Sequence, residues 1–122
     1  LLPTGQRLAW RIYPASTWQS KKLPLHEACF DLDSLATSEL ALRSRKEGDM
    51  LYPFGMRGKK LLRRIFIDGK YSQQARREAL LLCLGDQPIW LVGHVADRRY
   101  AVNAETKQII HFTLSSPSER RY

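Results

Sequence analysis

The sequence predicts an α+β domain, with strands towards both ends of the chain and two short helices between them. Three observations support this fold class. Apolar and polar residues alternate with period two in the first third, helical spacing follows residue 59, and apolar runs separated by a turn follow residue 80. The 122 residues, 43% of them hydrophobic, suffice for one domain with a buried core, and no linker or repeat divides them. We therefore expect residues 1–122 to form a single domain.

The first third contains three predicted strands. The first covers residues 8–13. In residues 28–33, apolar side chains at even positions alternate with Cys29 and two aspartates, which is typical of a half-buried strand. In the third strand, residues 40–45, the two leucines are predicted to face the core and the two arginines to share the opposite face.

Helical spacing begins at Lys59 and stops before an Asp-Gly pair. At about 100° per residue, the basic residues between 59 and 64 fall on one face of this helix. The other face is predicted to pack on the core and carries Leu61, Leu62, Ile65 and Phe66. Ser72 is a predicted N-cap for a second short helix, which reaches about Ala79.

The last third is predicted to be rich in strands. Residues 80–84 and 89–92 are apolar runs on either side of a Gly-Asp-Gln-Pro turn, which predicts a hairpin. A second hairpin is predicted to join residues 100–103 to residues 108–114. The polar tail, residues 115–122, is expected to fray.

All of the net charge lies between Arg43 and Arg77, which we call the basic segment. It holds eleven Lys or Arg and three acidic residues, a net charge of +8, whereas the rest of the chain holds nine of each kind. A neutral body with one concentrated cationic segment is typical of a protein that holds a polyanion at a defined place. Trp10, Trp18 and Trp90 lie outside this segment, so recognition of duplex phosphates is favoured over base stacking.

Other chemistries find little support in the sequence. Cys29 and Cys83 lie in predicted strands and are interpreted as small core residues. The three histidines lie far apart without other ligands at metal-binding spacing, and no acid–base or nucleophile–histidine arrangement stands out. Neither a metal site nor a catalytic residue is therefore predicted. The glycine loop at residues 53–60 lacks the spacing of a nucleotide-binding phosphate loop, although the following helix start is suited to one backbone phosphate.

The sequence also bears on location. No apolar run approaches the ~20 residues needed to span a bilayer, and no secretory pattern opens the chain. A cationic helix whose apolar face is buried does not suit a membrane surface. Two cysteines without a predicted bridge fit a cytoplasmic protein. Because the first residue is not Met, we expect the chain to be a piece of a longer protein.

Four motifs stand in order along the second half of the chain. They are Arg-Ser-Arg-Lys-Glu-Gly-Asp at 43–49, Pro-Phe-Gly-Met-Arg-Gly-Lys-Lys-Leu at 53–61, Phe-Ile-Asp-Gly-Lys at 66–70 and Ile-Trp-Leu-Val-Gly at 89–93. Together they resemble the C-terminal domain of bacterial tRNA(Ile)-lysidine synthetases, from about residue 40 to residue 114. Two positions depart from the family pattern. Ala79 stands where a proline is usual, and Val95 where a basic residue is usual, with Arg98 or Arg99 as its replacement.

The resemblance implies a parent enzyme, a carbon–nitrogen ligase, that uses ATP with Mg²⁺ to activate the wobble cytidine of an isoleucine tRNA with a CAU anticodon. The enzyme then joins lysine to that cytidine. In the family this chemistry belongs to an N-terminal domain with a Ser-Gly-Gly-x-Asp-Ser loop, which this chain lacks, so no cofactor is expected here. The C-terminal domain is implied to engage the acceptor-stem region of the tRNA, and a homodimer of the parent is left open. The implied fold is a β-sandwich-like core with two short helices, resembling a domain of the phenylalanyl-tRNA synthetase β chain.

We expect ten cations of the basic segment to contact tRNA phosphates: Arg43, Arg45, Arg57, Lys59, Lys60, Arg63, Arg64, Lys70, Arg76 and Arg77. Four further residues are expected to shape the loops between them: Gly48, Asp49, Gly55 and Gly58. Such contacts position the tRNA, while its identity is read elsewhere or through its shape. The alternative is a protein-interaction module that docks on an acidic partner, or on its own catalytic domain, through the same surface.

Overall fold

The computed structural model describes residues 5–18, 22–35 and 39–115. In these residues nine strands form three sheets, and two α-helices follow the fifth strand. The strands are β1 (Arg7–Pro14), β2 (Glu27–Asp31), β3 (Leu40–Ser44), β4 (Met50–Leu51), β5 (Lys60–Leu61), β6 (Leu80–Leu84), β7 (Gln87–Leu91), β8 (Val95–Ala96) and β9 (Gln108–Ser115). The helices are α1 (Leu62–Asp68) and α2 (Gln73–Glu78).

The first sheet is antiparallel and has the strand order β1-β9-β2. Its central strand is the last strand in sequence, and Phe112 of β9 lies between Trp10 and Ala28 of its two neighbours. The predicted hairpin between residues 100–103 and 108–114 is therefore wrong. Ala101 makes only an isolated bridge to β2, because β1 and β2 already occupy both edges of β9.

The second sheet has the strand order β3-β6-β7-β8. Strands β6 and β7 form the predicted hairpin, but Gly85 and Asp86 alone make its turn, and Gln87 and Pro88 belong to β7. Gly85 has a φ of +61°, a left-handed conformation that glycine adopts without strain. Pro88 lies next to a shift in the pairing register, as is usual for a residue that cannot donate a hydrogen bond to the ladder.

The main core lies between these two sheets. The Phe112 ring lies 6.0 Å from the Phe30 ring and 6.1 Å from the Trp90 ring, and all three side chains are almost fully buried. The remaining buried members are Ala28, Leu35, Leu82, Ile89, Val92 and Ile110. Two facing sheets with an apolar interior confirm the α+β class and the β-sandwich-like core.

A second core lies on the other face of the second sheet, beneath α1. Its buried members are Leu51, Leu62, Ile65, Phe66, Leu81, Cys83 and Leu91. Because β6 and β7 are covered on both faces, their sequences are continuous apolar runs rather than alternating ones. Cys83 is 1% exposed, which confirms its predicted place in the core. The third layer, formed by α1 and the β4–β5 ribbon, carries much of the basic segment.

Some predicted boundaries are wrong. Helix α1 begins at Leu62 rather than Lys59, because the two preceding residues pair with β4 as strand β5. Leu61 is consequently 40% exposed instead of buried. Leu42 is 38% exposed because it lies on β3, an edge strand. Strand β2 ends at Asp31, whose carboxylate accepts a hydrogen bond from the next turn.

No helix in residues 5–18, 22–35 and 39–115 is long and apolar enough to cross a membrane. Of the predicted polar tail, Ser115 ends strand β9, and residues 116–122 lie outside the part of the chain that the structure describes.

Candidate nucleic-acid interface

Helix α1 carries basic side chains on its surface because apolar residues anchor its other side. Leu62, Ile65 and Phe66 are at most 7% exposed and belong to the second core. Arg63 and Arg64, which lie between them in sequence, are exposed. The predicted division of this helix into a buried face and a cationic face is confirmed for these five residues.

Lys60 departs from that division. Its side chain is 24% exposed, and its Nζ atom lies 2.7 Å from Oδ2 of Asp68 at the end of α1. The hydrogen bond from Lys60 lowers the pKa of Asp68, and the charge of Arg64 adds to this effect. Because it joins β5 to the end of the helix, the pair gives Lys60 a structural contact in place of the solvent-facing position predicted for it.

Arg43 is also engaged within the fold. Its guanidinium donates two hydrogen bonds to the carboxylate of Asp49, at 2.9 and 2.8 Å, in a bidentate arrangement. Further hydrogen bonds reach the carbonyls of Ser44 and Asp86. The two side chains of the pair are 19% and 7% exposed. This geometry favours a structural role for Arg43 over the predicted contact with phosphate.

Asp49 connects separate parts of the basic segment. Besides Arg43, its carboxylate accepts a hydrogen bond from the N–H of Lys46 at 2.6 Å, and its carbonyl accepts one from the N–H of Leu62 at 2.8 Å. Burial by itself raises the pKa of Asp49, but the hydrogen bonds from Arg43 and Lys46 outweigh it and hold the pKa below its usual range. The N–H of Leu62 is therefore already bonded at the helix start, where the sequence suggested a seat for phosphate.

A surface groove of about 630 Å³ lies between the turn at residues 46–49 and the start of α1. Arg45, Lys46 and Arg63 are among the residues that line it. Gly48 has a φ of +90°, which other residues adopt only with strain, so glycine shapes this turn as predicted. The groove brings cations from two parts of the chain to one surface.

The second turn of the basic segment is the loop at residues 52–58. Gly55 has a φ of +82°, and the N–H of Met56 donates to the carbonyl of Pro53. Gly58 has no positive φ and has open space where a side chain would lie. The expected requirement for glycine is thus found at Gly55 but not at Gly58.

The loop at residues 52–58 is hydrogen-bonded to the carboxylate of Asp97, a residue that the sequence did not indicate. Asp97 is fully buried and accepts hydrogen bonds from the N–H of Tyr52 at 3.1 Å and from the backbone and guanidinium of Arg99 at 2.9–3.0 Å. The same guanidinium lies 3.8 Å from the centre of the Tyr52 ring. No spacing in the sequence distinguishes Asp97 from a solvated acid, because Tyr52 lies 45 residues away.

Arg98 completes the attachment of the loop. Its N–H donates to the carbonyl of Tyr52 at 2.8 Å, and its guanidinium donates to the carbonyls of Met56 at 3.1 Å and Arg57 at 2.7 Å. Arg98 and Arg99 were the suggested replacements for a basic residue at position 95. Both bond to the loop or to the carboxylate that holds it, although the Arg99 side chain is 33% exposed.

The remaining predicted cations differ in their surroundings. Arg76 is half-buried, with its Cζ atom 5.8 Å from the centre of the Phe66 ring and its Nε atom donating to the carbonyl of Tyr71. Ser72 accepts a hydrogen bond from the N–H of Ala75, which confirms the predicted N-cap. The exposed cations, as we call them below, are Arg45, Arg57, Lys59, Arg63, Arg64, Lys70 and Arg77.

A separate polar cluster lies on the outer face of the first sheet. His111 is buried, with its Nε2 atom 2.7 Å from Glu27 and its Nδ1 atom 2.9 Å from the hydroxyl of Tyr13. Burial raises the pKa of Tyr13 to about 12, with Cys29 adding to the shift, so this phenol is not an activated nucleophile. Within the described ranges, no three His, Cys, Asp or Glu residues are placed to hold a metal ion.

Fold and surface together define a class of protein: a small β-sandwich domain with exposed cations on its helices and near two turns that are braced by buried carboxylates. Residues 40–112 match the model of the family described as the TilS substrate C-terminal domain. This match covers more than half of the chain, and the chain belongs to that family.

Curated relatives and a solved structure agree with this assignment. Over 119 residues, 93% of this chain, the sequence is 35% identical to the tRNA(Ile)-lysidine synthase of Porphyromonas gingivalis, of which the match covers 26%. It is 36% identical over 110 residues, 90% of the chain, to that of Symbiobacterium thermophilum, of which 22% is covered. A crystal structure of a TILS C-terminal domain superposes with a TM-score of 0.80 at 22% identity, covering 94% of this chain and 87% of the other, which supports the fold. The chain spans about a quarter of the length of these curated relatives.

Proposed function

We propose that this chain is the tRNA-contacting domain of a tRNA(Ile)-lysidine synthase and holds the tRNA through its phosphates. The observation that carries this proposal is the set of exposed cations concentrated in one segment, residues 43–77, of a domain of the TilS substrate C-terminal family. Each such cation that meets a phosphate releases a condensed counterion, which drives binding without reading the sequence of the RNA. The half-buried Arg43, Lys60 and Arg76 make contacts within the fold that support this surface.

In this proposal the chain contributes binding, and the chemistry belongs to another part of the parent enzyme. There, ATP with Mg²⁺ activates the wobble cytidine of an isoleucine tRNA with a CAU anticodon, and lysine is joined to it. The domain binds the acceptor-stem region of that tRNA, and the parent enzyme acts in the cytoplasm. The domain fixes the orientation of the tRNA. Fixed orientation favours reaction at a distant nucleotide, because it keeps that nucleotide positioned at the active site of the parent enzyme.

The test is charge reversal of Arg63 and Arg64 to Glu in one variant. Both side chains are exposed, so the free energy of unfolding should change by only about 0.5 kcal/mol per residue. Binding of tRNA in a filter assay should weaken on the order of 10- to 100-fold at moderate salt. For the unmodified chain, log Kd plotted against log salt should rise with a slope of roughly 3 to 5, as expected for about four to six phosphate contacts. The slope should be smaller for the variant.

The matched control reverses Arg7 and Lys107, two exposed cations outside the basic segment, and should leave tRNA binding unchanged. Equal effects of the two reversals would contradict a defined interface. An affinity for tRNA that does not depend on salt would favour the protein-interaction alternative. The same holds if tRNA fails to displace an acidic protein that is bound to the basic segment.

A further inference from the structure

One aromatic side chain of the basic segment is exposed. Phe54 lies in the loop at residues 52–58 and is 65% exposed, and Met56 two residues later is 41% exposed. The tryptophans considered in the sequence lie outside the basic segment, so stacking on bases was not favoured there. Phe54 changes that expectation, because its ring shares a short loop with exposed Arg57 and lies five residues before exposed Lys59.

The loop that carries Phe54 is held in one conformation. Pro53 is bridged to Asp97, and the guanidinium of Arg98 bonds the carbonyls of Met56 and Arg57. A ring presented by a fixed backbone loses little conformational entropy when it stacks on a ligand. An exposed apolar ring on a braced, cationic loop is therefore well suited to binding.

Phe54 also forms one wall of a groove of about 550 Å³. Trp90, Ala96, Ala101 and Val102 line this groove with mostly apolar surface. Exposed Lys22 and His94 are among its polar residues. Glu27 lines it as well, but one of its carboxylate oxygens bonds His111 at 2.7 Å. Lys22 is the cation that lines the groove, because partial burial lowers the pKa of His94 and so favours its neutral form. An apolar space with a cation at its edge matches a nucleobase and its attached phosphate.

We infer that this groove accepts an unpaired nucleobase of the bound RNA, stacked on Phe54, while Arg57 and Lys59 contact the adjoining phosphates. Unpaired bases that project from a duplex are recognised mainly by stacking on aromatic rings, and tRNA carries a single-stranded 3′ segment next to its acceptor stem. An apolar protein side chain would use the apolar wall but would gain nothing from Lys22 in the groove or from Arg57 in the loop that carries Phe54. This inference rests on the proposed function.

The experiment compares two RNA hairpins, one blunt and one with a 3′ single-stranded extension that contains the fluorescent base 2-aminopurine. The 122-residue chain should bind the extended hairpin more tightly and quench its fluorescence. Phe54→Ala should weaken binding of the extended hairpin by roughly 5- to 150-fold, the range for loss of one stacked base, and abolish the quenching. Binding of the blunt hairpin should not change, and Phe54→Trp should retain both signals.

Trp10→Ala is the matched control, because Trp10 is an aromatic residue with 63% exposure outside the basic segment. It should leave both hairpins unaffected. If the unmodified chain binds both hairpins equally, or Phe54→Ala weakens both equally, the inference is overturned while the proposed function stands. If it binds neither hairpin nor tRNA, the proposed function fails and the inference fails with it.

Discussion

Each of the two turns of the basic segment is held by a carboxylate that pairs with an arginine, but the two carboxylates lie at different sequence separations from the turns they hold. In the turn at residues 46–49, the bracing carboxylate is Asp49 of the turn itself, and its arginine lies six residues earlier. In the loop at residues 52–58, the carboxylate and two arginines belong to residues 97–99. One turn is therefore fixed by its own sequence, whereas the other depends on a segment that the fold brings to it.

This difference should set how each turn responds to damage. Substitution of Asp49 removes the charged partner of Arg43. The turn still keeps Gly48 and the hydrogen bond from the N–H of residue 49 to the carbonyl of Lys46. The loop at residues 52–58 has Gly55 and one weak internal hydrogen bond of 3.4 Å, so most of its order comes from outside. We expect the distant brace to matter more.

The largest effect is expected for Asp97→Ala. Asp97 is fully buried, and its removal leaves the guanidinium of Arg99 and the N–H of Tyr52 without their partner. Loss of one member of a fully buried charged pair costs on the order of 3–5 kcal/mol, and the 33% exposure of the Arg99 side chain places the expected loss at the lower end of that range. Thermal and urea unfolding would measure it, with Asp86→Ala as an exposed control expected to change stability by only about 0.5 kcal/mol. A loss below about 1 kcal/mol for Asp97→Ala would contradict the role assigned to this carboxylate.

A smaller effect, of about 2–3 kcal/mol at neutral pH, is expected for Asp49→Asn, because the Asp49 side chain is 7% exposed whereas that of Asp97 is fully buried, and because asparagine keeps a hydrogen-bonding oxygen. The effect should depend on pH. The pKa of Asp49 is lower in the folded than in the unfolded chain, so its ionised form stabilises the fold above the unfolded pKa of about 4. This contribution is lost as the pH falls through the folded pKa. Urea unfolding at pH 7, 5 and 3 should show the two proteins converging, and a difference that persists unchanged at pH 3 would refute the prediction.

The smallest change in stability, about 1 kcal/mol, is expected for Arg98→Ala, whose hydrogen bonds to two carbonyls are partly exposed. Its main effect should be local. Without this brace the loop should open, and limited digestion with trypsin should cut faster after Arg57. Arg98→Lys keeps the charge but not the planar fork, and should give an intermediate rate. Unchanged cleavage in Arg98→Ala would show that Asp97 alone holds the loop.

What the sequence predicted correctly is what neighbouring residues decide. The cationic face of α1, the N-cap at Ser72 and the β6–β7 hairpin each follow from periodicity or turn chemistry within a few residues. The turn at Gly48 and Asp49 was likewise predicted from a Gly-Asp pair, and the structure adds that the Asp49 carboxylate accepts from the N–H of Lys46, three residues earlier.

What the sequence could not predict depends on residues far apart in the chain. Lys60 fits a helical pattern, but pairing of its strand with β4 removes it from the helix and brings it to Asp68. Asp97 resembles any acid beside two arginines until the fold sets it against Tyr52. Exposure of Phe54 likewise follows from the path of its loop, because an isolated apolar residue between glycine and proline is equally compatible with a buried turn.

The position of β9 determines when this domain is able to assemble during synthesis. Arg11 and His111 are direct partners in the first sheet although 100 residues separate them, and β2 also pairs only with β9 among the sheet's strands. Pairing across so long a separation requires costly loop closure and slows folding. Strands β1 and β2 therefore cannot form their sheet until residues 108–115 have been synthesised and are free to pair with them. The basic segment is synthesised before the strand that completes the sandwich, so its positive charges are exposed before the core is finished.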